Sequence, residues 1–213
     1  MSKKESIILI GAGGHCISAI DIIESANQYE IKGILDMPDK VGQSILGYPI
    51  IGSDDQIQEL VAHTPNFLIT VGQIRNANIR KKIVEKVIQA NGKLPVISSG
   101  LAYISRHADV EDGTILMHGA VINAGAKIGK ACIINSKALI EHEATVGDFT
   151  HISTACILNG QVSVGSNCFI GSNTVIANNI TICDNVILAA GSQVLKSITK
   201  PGIYIGSPLR KIR

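Results

Sequence analysis

Two neighbouring residues, His142 and Glu143, combine the side chains needed to move a proton. An imidazole takes up and releases protons near neutral pH, and an adjacent carboxylate would raise its basicity and hold one tautomer. His142 lies two positions after Ile140, an inward residue of the repeat described below, so we expect its side chain to point outward. The pair is therefore a candidate general base.

Gly160 follows His142 by eighteen residues. In a coil of that length it would lie over His142 at about one strand spacing, ~4.8 Å. A glycine there leaves its N–H unobstructed and able to polarise a reacting carbonyl, as in an oxyanion hole. By the same arithmetic Ser172 and Ala190 stack on each other and offer small residues beside an extended ligand.

These positions belong to a six-residue repeat. An aliphatic residue occupies all sixteen slots from Ile104 to Val194, and a second slot four residues later is never charged or aromatic. A period of six fits neither an amphipathic helix nor a two-residue strand alternation, but it fits a coil of three flat faces. Three cysteines, Cys132, Cys156 and Cys168, occupy the second slots and are predicted to be packing residues.

Composition narrows the class of partner. A net charge of +2 with 17% charged residues gives no basic field for nucleic acid or an anionic membrane, which favours a small molecule. The five cysteines are odd in number and lack CxxC spacing, as expected of reduced thiols. The apolar run near the start is too short for a signal peptide or a membrane span, so we expect a cytoplasmic protein.

Residues 1–95 have a different pattern, in which strands and helices alternate as in a small parallel sheet. The expected fold is therefore a small α/β parallel-sheet, Rossmann-like domain over residues 1–95, followed by a parallel β-helix of hexapeptide repeats over residues 96–213. The predicted strands are 7–10, 31–35 and 67–71, the predicted helices are 17–26, 54–62 and 78–89, and 47–52 is predicted to lie in a loop.

The glycine-rich turn Gly11–Cys16 lies between the first strand and the first helix, where backbone amides favour a pyrophosphate. A complete dinucleotide fingerprint would need glycine at Cys16, and the domain is too short for both halves of that fold, which disfavours NAD. Asp36, at the end of the second strand, could accept hydrogen bonds from a ribose or a uracil, or could be a capping or turn residue. Gly72 ends the third strand on the same rim of the sheet.

The segments Asn135-Ser136, Ile140–Glu143 and His151–Ser153, with GAGGH and Asp36, resemble the sugar O- and N-acyltransferases of the sialic acid O-acetyltransferase and bacillosamine-pathway N-acetyltransferase type. The resemblance covers nearly the whole chain. It implies a left-handed β-helix, a homotrimer with active sites between subunits, and acetyl-CoA as cosubstrate without a metal. The family often has a second aspartate after the one matching Asp36, where this chain has Met37.

The resemblance also implies roles for individual residues. His142 would deprotonate the acceptor and Glu143 would enhance it. Acetyl-CoA would contact His151 and Gly160, with its pantetheine arm near Ser172 and Ala190. The residues expected to bind a UDP-linked sugar are Gly13, Gly14, His15, Asp36 and Gly72, with Asn135 lining the site.

The leading hypothesis is an acetyl-CoA-dependent N-acetyltransferase whose acceptor is the 4-amino group of a UDP-linked 4-amino-4,6-dideoxy sugar, attacking the thioester directly. An O-acetyltransferase acting on sialic acid or a similar sugar hydroxyl is the alternative, favoured by the stretch 158–165. A γ-type carbonic anhydrase would need three zinc-binding histidines, and the spacing of His118, His142 and His151 does not match that family. A structural scaffold without a reactive His142 is the remaining hypothesis.

Overall fold

The computed structural model describes residues 4–213, which divide into two compact units. The first unit comprises the chain up to Gly72 together with Asn78–Gly100. The second comprises Gln73–Ala77 and Leu101–Arg213. The short segment Gln73–Ala77 thus belongs structurally with the repeats although it precedes them in the chain.

The core of the first unit is a sheet in the order Ser44–Ile45, Tyr48–Gly52, Tyr29–Leu35, Glu5–Ile10 and Asn66–Ile69, which is parallel except for the first of these strands. Residues 7–10 of the interior strand Glu5–Ile10 are all buried, as expected of a parallel strand covered on both sides. The strands are β1 (Glu5–Ile10), β2 (Tyr29–Leu35), β3 (Ser44–Ile45), β4 (Tyr48–Gly52), β5 (Asn66–Ile69) and β6 (Ile97–Ser98); the helices are α1 (Gly14–Ala26), α2 (Ile57–Leu60) and α3 (Asn78–Gln89), with 3-10 turns at Pro38–Lys40 and Asp54–Gln56.

The structure corrects two predictions for this unit. Helix α1 begins at Gly14 rather than at residue 17, with Gly13 as its N-cap. The predicted loop at 47–52 is wrong, because Tyr48–Gly52 is a strand that pairs with β2. Leu46 and Gly47, both with positive φ, form the tight turn of a β3–β4 hairpin.

The second unit is a left-handed parallel β-helix, as the repeat and the resemblance predicted. Residues eighteen apart are paired on successive coils, for example Ile140 with Leu158. The first face contains Tyr103–Ile104, Val121–Ile122, Leu139–Ile140, Ile157–Leu158, Val175–Ile176 and Gln193–Val194; the second face Asp109–Val110, Lys127–Ile128, Thr145–Val146, Ser163–Val164 and Thr181–Ile182; the third face Ile115–Leu116, Ile133–Ile134, His151–Ile152, Phe169–Ile170, Val186–Leu188 and Gly202–Ile205, with Arg210–Lys211 antiparallel to the last.

The two repeated slots form the inside of the prism. From Leu116 to Val194 every aliphatic slot is buried, whereas Ile104 and Val110, in the first coil, retain exposed surface. Cys132, Cys156 and Cys168 are fully buried and reduced. Burial raises the pKa of the Cys156 and Cys168 thiols to about 11, so both are packing residues at neutral pH.

The corners between the faces have a regular backbone conformation. One residue of each corner has positive φ, recurring every six positions from Gly113 to Gly191. Glycine or asparagine, which tolerate this conformation, occupies these positions in the earlier and later coils. In the middle coils the same position is filled by Ala131, Lys137, Glu143, Phe149, Ala155 and Gln161.

Candidate active site

His142 lies in the turn between the first and second faces, which we call the His142 corner (residues 141–144, with 159–162 and 177–180 in the next coils). Its imidazole is exposed, as the repeat predicted, and its Nδ1 lies 3.5 Å from Oε2 of Glu143. The backbone N–H of His142 donates to Oε2 of Glu141 at 3.2 Å. The carboxylate of Glu143 thus faces one ring nitrogen and leaves Nε2 for an incoming group.

Gly160 lies against the His142 ring in the next coil, as the spacing predicted. A Cβ at Gly160 would lie 2.6 Å from both Cε1 and Nε2 of His142. Only a glycine therefore leaves room for the ring in this position. The flanking amides donate to coil carbonyls, Asn159 to Ile176 and Gln161 to His142.

His151 lies on the third face, where it is 8% exposed and makes an edge contact with Phe169. Its Nδ1 is 2.7 Å from the carbonyl oxygen of Gln73, so Nδ1 carries the proton. Asn135 donates from Nδ2 to Nε2 of His151 at 3.3 Å, while its Oδ1 accepts the Ser136 N–H and fixes the amide orientation. These partners hold His151 as the neutral Nδ1–H tautomer.

Asn135, Ser172 and Ala190 lie in the turns between the third and first faces, which we call the Asn135 corner (residues 135–138, 153–156, 171–174 and 189–192). Ser172 shares a hydrogen bond with Ser153, whose Oγ is 2.9 Å away. Within one chain, the residues predicted from the β-helix therefore divide between two corners on either side of the first face. The eighteen-residue spacing correctly stacks Ser172 and Ala190, but it does not show that this stack lies away from His142.

In the first unit the glycine turn combines two kinds of glycine. Gly11 has φ +110°, and a Cβ there would lie 2.6 Å from a Val71 methyl, so it is required by packing. Gly13 and Gly14 are exposed and a Cβ on either would meet no atom within 4 Å. Packing therefore does not require glycine at these two positions. The absence of side chains on Gly13 and Gly14 instead leaves the N-terminus of α1 open to a ligand. Gly72 lies beside this turn. A Cβ added at Gly72 would be 3.8 Å from the Cβ of His15.

Asp36 is bound to the glycine turn by its own side chain. Its carboxylate accepts hydrogen bonds from the N–H of Ala12 and from that of Met37, and Lys40 is 3.0 Å away. Burial pushes the pKa of Asp36 up, but these amides and the Lys40 ammonium together outweigh burial and hold the pKa below its usual range. Asp36 therefore has the role of a turn residue, one of the two roles that the sequence left open. Lys40 adds a cation at this rim, which the sequence analysis did not identify.

Residues 4–213 contain no group of three or more His, Cys, Asp or Glu side chains placed to hold a metal ion. In the same range, none of the helices combines the length and the apolar character needed to cross a bilayer.

The chain matches two protein families in different regions. Residues 6–87 match the family described as PglD N-terminal domain, and residues 161–196 match the bacterial transferase hexapeptide family of six repeats. A curated relative, the uncharacterized protein L142 of Acanthamoeba polyphaga mimivirus, is 42% identical over 208 residues. The alignment covers 97% of this chain and 40% of L142, so the chain spans well under half the length of that relative.

Solved structures extend the match to both units. A mutant of perosamine N-acetyltransferase from Caulobacter crescentus, in complex with CoA and GDP-perosamine, has a TM-score of 0.92 and 26% identity, covering 98% of this chain and 97% of its own. The acetyltransferase domain of PglB from Neisseria gonorrhoeae, in complex with acetyl coenzyme A, has a TM-score of 0.90 and 26% identity, covering 99% and 100%. The chain thus matches a PglD N-terminal domain and hexapeptide transferase repeats, and over nearly its whole length it is similar in structure to acetyltransferases crystallised with CoA or acetyl coenzyme A.

Proposed function

We propose that the protein is an N-acetyltransferase that uses acetyl-CoA to acetylate the 4-amino group of a UDP-linked 4-amino-4,6-dideoxy sugar. The observation that carries the proposal is the His142 corner, where an exposed imidazole is paired with Glu143 and lies over Gly160. The similarity to sugar N-acetyltransferases crystallised with CoA, acetyl-CoA and a nucleotide-linked sugar supports the same class of reaction.

In the proposed reaction the sugar amine attacks the thioester carbonyl carbon directly. The new C–N bond forms as the carbonyl oxygen becomes an oxyanion, and the C–S bond then breaks to release the CoA thiol. Nε2 of His142 takes the proton from the amine, since Nδ1 faces Glu143, and can pass it to the departing sulfur. We assign the N–H of Gly160 to the oxyanion, because this residue lies against the imidazole.

The column of residues above His142 suits the donor. Gly160, Asn178 and Lys196 follow one another at eighteen-residue steps, which corresponds to ~4.8 Å per coil. Lys196 lines a cavity of about 450 Å³ that also includes Lys200 and Lys211. Three ammonium groups there would attract the phosphates of CoA, with the thioester directed along the column toward His142.

The acceptor's nucleotide is assigned to the first unit. Gly13 and Gly14 leave the N-terminus of α1 open to a pyrophosphate, and Lys40 adds a positive charge at the same rim. His15, Asp36 and Gly72 surround this turn and are assigned to the UDP portion. Because Asp36 already accepts the Ala12 N–H, we assign it to shaping the turn as well as to contact with the ligand.

A homotrimer would complete the site. The outward row of the first face is mainly apolar and partly exposed, with Tyr103 at 58% and Val175 at 38%, whereas the second face has Asp109, Lys127 and Thr181 in the same row. Three copies packed around their first faces would bring the His142 corner of one copy to the Asn135 corner of the next. His151, Ser172 and Ala190 would then serve the donor bound at a neighbouring His142.

The test is release of free thiol from acetyl-CoA by the purified protein. Three acceptors are compared: the UDP-linked and GDP-linked 4-amino-4,6-dideoxy sugars and free sialic acid. We expect turnover with the UDP-linked amino sugar and a fall in kcat of roughly 10²–10⁴-fold in His142→Ala, the usual range for loss of a general base. His107→Ala, which removes another exposed histidine of the β-helix, should leave the rate unchanged.

The outcomes separate the hypotheses. Preference for the GDP-linked sugar would keep the N-acetyltransferase and overturn the uridine assignment. Turnover with sialic acid alone would establish the O-acetyltransferase alternative, and absence of transfer to all three acceptors would contradict the proposal.

A further inference from the structure

We infer that Gln161 is a positioning residue that holds Glu143 against His142. The inference rests on the proposed function, and it adds a third side chain to the two already assigned to the base. Nε2 of Gln161 donates to Oε2 of Glu143 at 3.0 Å. The same carboxylate oxygen lies 3.5 Å from Nδ1 of His142.

Gln161 forms hydrogen bonds with both His142 and Glu143. Its backbone N–H donates to the carbonyl oxygen of His142 at 3.0 Å, and its side chain reaches Glu143. Gly160, the preceding residue, is the one whose missing Cβ leaves space for the ring. Two consecutive residues of one coil thus determine where the imidazole lies and which carboxylate oxygen faces it.

The backbone conformation of Gln161 is unfavourable for its residue type. Gln161 and Glu143 have φ of 60° and 57°, in the left-handed region that costs an ordinary L-residue free energy. Asn167, Asn173, Asn179 and Asn185 occupy the corresponding positions of the following corners, where asparagine tolerates this conformation. A glutamine in this place is explained by its reach, since its side chain extends to the carboxylate of the coil before.

The hydrogen bond from Gln161 to Glu143 is important because the side chains of His142 and Glu143 are exposed. The side chains of His142 and Glu143 are 59% and 61% accessible, so an untethered carboxylate would exchange among rotamers and leave Nδ1 unpaired for part of the time. With the carboxylate fixed, the proton stays on Nδ1 and Nε2 is the basic nitrogen. Gln161 therefore affects the chemical step without touching the substrate.

The substitution Gln161→Asn tests this role. Asparagine keeps the amide and suits the left-handed backbone, but it is one methylene shorter and cannot reach Oε2 of Glu143. We expect an unchanged or raised unfolding temperature, unchanged KM for both substrates, and a kcat lowered roughly threefold to tenfold, the worth of one hydrogen bond. The matched control is Gln89→Asn, which makes the same substitution at an exposed position of α3, outside the residues assigned to either substrate, and should leave kcat unaltered.

A double-mutant cycle distinguishes positioning from a separate structural effect. If Gln161 acts through Glu143, Gln161→Asn should lower kcat in the wild-type background and have no further effect in Glu143→Gln. Additive losses in the double variant, or a kcat equal to wild type in Gln161→Asn, would overturn the inference. An inactive wild-type protein would instead contradict the proposed function.

The state of the imidazole provides a readout that needs no substrate. Nitrogen-15 NMR of the His142 ring, assigned by comparison with His142→Ala, reports which nitrogen carries the proton. The wild type should show the Nδ1–H tautomer, and Gln161→Asn a mixture of both tautomers. Identical tautomer populations in the two proteins would refute the positioning role whatever the activity of the wild type.

Discussion

At the scale of single residues, Asp36 shows how one side chain can shape a ligand-binding turn. The carboxylate accepts the N–H of Ala12, in the glycine turn, and that of Met37, at the end of its own strand. It therefore connects two strand ends of the rim to which the nucleotide is assigned. Because the folded state favours the ionised carboxylate, the contact depends on pH.

We predict that Asp36→Asn loosens the glycine turn at neutral pH. Loss of the charge-assisted hydrogen bonds should speed hydrogen exchange in the segment containing Ala12 by about tenfold at pH 7, equivalent to ~1.4 kcal/mol. A lowered pKa stabilises the folded state above the unfolded value of about 4, and this stabilisation is lost as the pH falls through the folded value. The difference from wild type should therefore shrink below about pH 4.

Hydrogen exchange followed by mass spectrometry provides the measurement, with Asp39→Asn as control because that carboxylate lies in the same loop and is exposed. Exchange at Ala12 that is the same in wild type and Asp36→Asn at pH 7 would contradict the prediction. So would a difference that persists undiminished at pH 3.

The residue-level predictions succeeded where the repeat determined geometry. The stacking of Gly160 on His142 could be calculated from the sequence because every coil has the same length. The double hydrogen bond of Asp36 could not, since it depends on how a turn and a strand end meet in three dimensions. Gln161 was missed for a related reason: its role depends on side-chain reach between coils, which a period of six does not reveal.

At the scale of elements, the hexad pattern was sufficient for the β-helix, whereas the first unit was predicted less completely. The strand β4 has partners on both sides, but its Pro49 and the adjacent Gly47 are typical of loops. The start of α1 was placed too late because Gly14 and His15 are weak helix formers, and the N-terminus is determined instead by the backbone of Gly13. At β4, pairing with strands on both sides outweighed local preference.

The corners of the β-helix offer a test of stored strain. Ala155 has φ 55°, which an alanine adopts at a cost, whereas Asn173 fills the same position one coil later. We predict that Ala155→Asn raises the free energy of unfolding of the β-helix by about 0.5–1 kcal/mol. Thermal and urea unfolding followed by circular dichroism would measure the change.

Ala124→Asn is the matched control for this substitution. Ala124 also lies in a corner and is exposed, but it is outside the set of residues with positive φ, so asparagine relieves nothing there. Equal effects of the two substitutions would show that the gain comes from the asparagine side chain and not from the backbone conformation. A destabilised Ala155→Asn would show that strain is absent at this corner.

At the scale of the whole molecule, the positions of the proposed site residues within one chain bear on the proposed trimer. His142 and Glu143 occupy one corner of the β-helix, while Asn135 and Ser172 occupy the other corner beside the first face. Residues at two corners of one prism are separated by the width of a face. The site proposed above uses both groups, and we therefore expect it to form between two copies, each contributing a different corner.

This division predicts complementation between two inactive variants. His142→Ala removes the base from one corner and Asn135→Ala alters the other, so each homotrimer alone should have little activity. When the two chains are co-expressed in equal amounts, about three quarters of random trimers are mixed, and each mixed trimer contains one site with both wild-type corners. Activity should thus recover to about one quarter of the wild-type value.

The experiment compares thiol release by the co-expressed mixture with that of the separate variants, after size-exclusion chromatography with light scattering has confirmed that the mixture is trimeric. Differently tagged chains allow the mixed trimers to be isolated, so that a failure to mix is recognised. If each site lay within a single chain, every chain in the mixture would still carry one lesion, and no recovery would occur. Recovery in mixed trimers alone therefore requires that neighbouring subunits share the site, whereas inactive mixed trimers would place the site within a single subunit and remove the argument for a shared one.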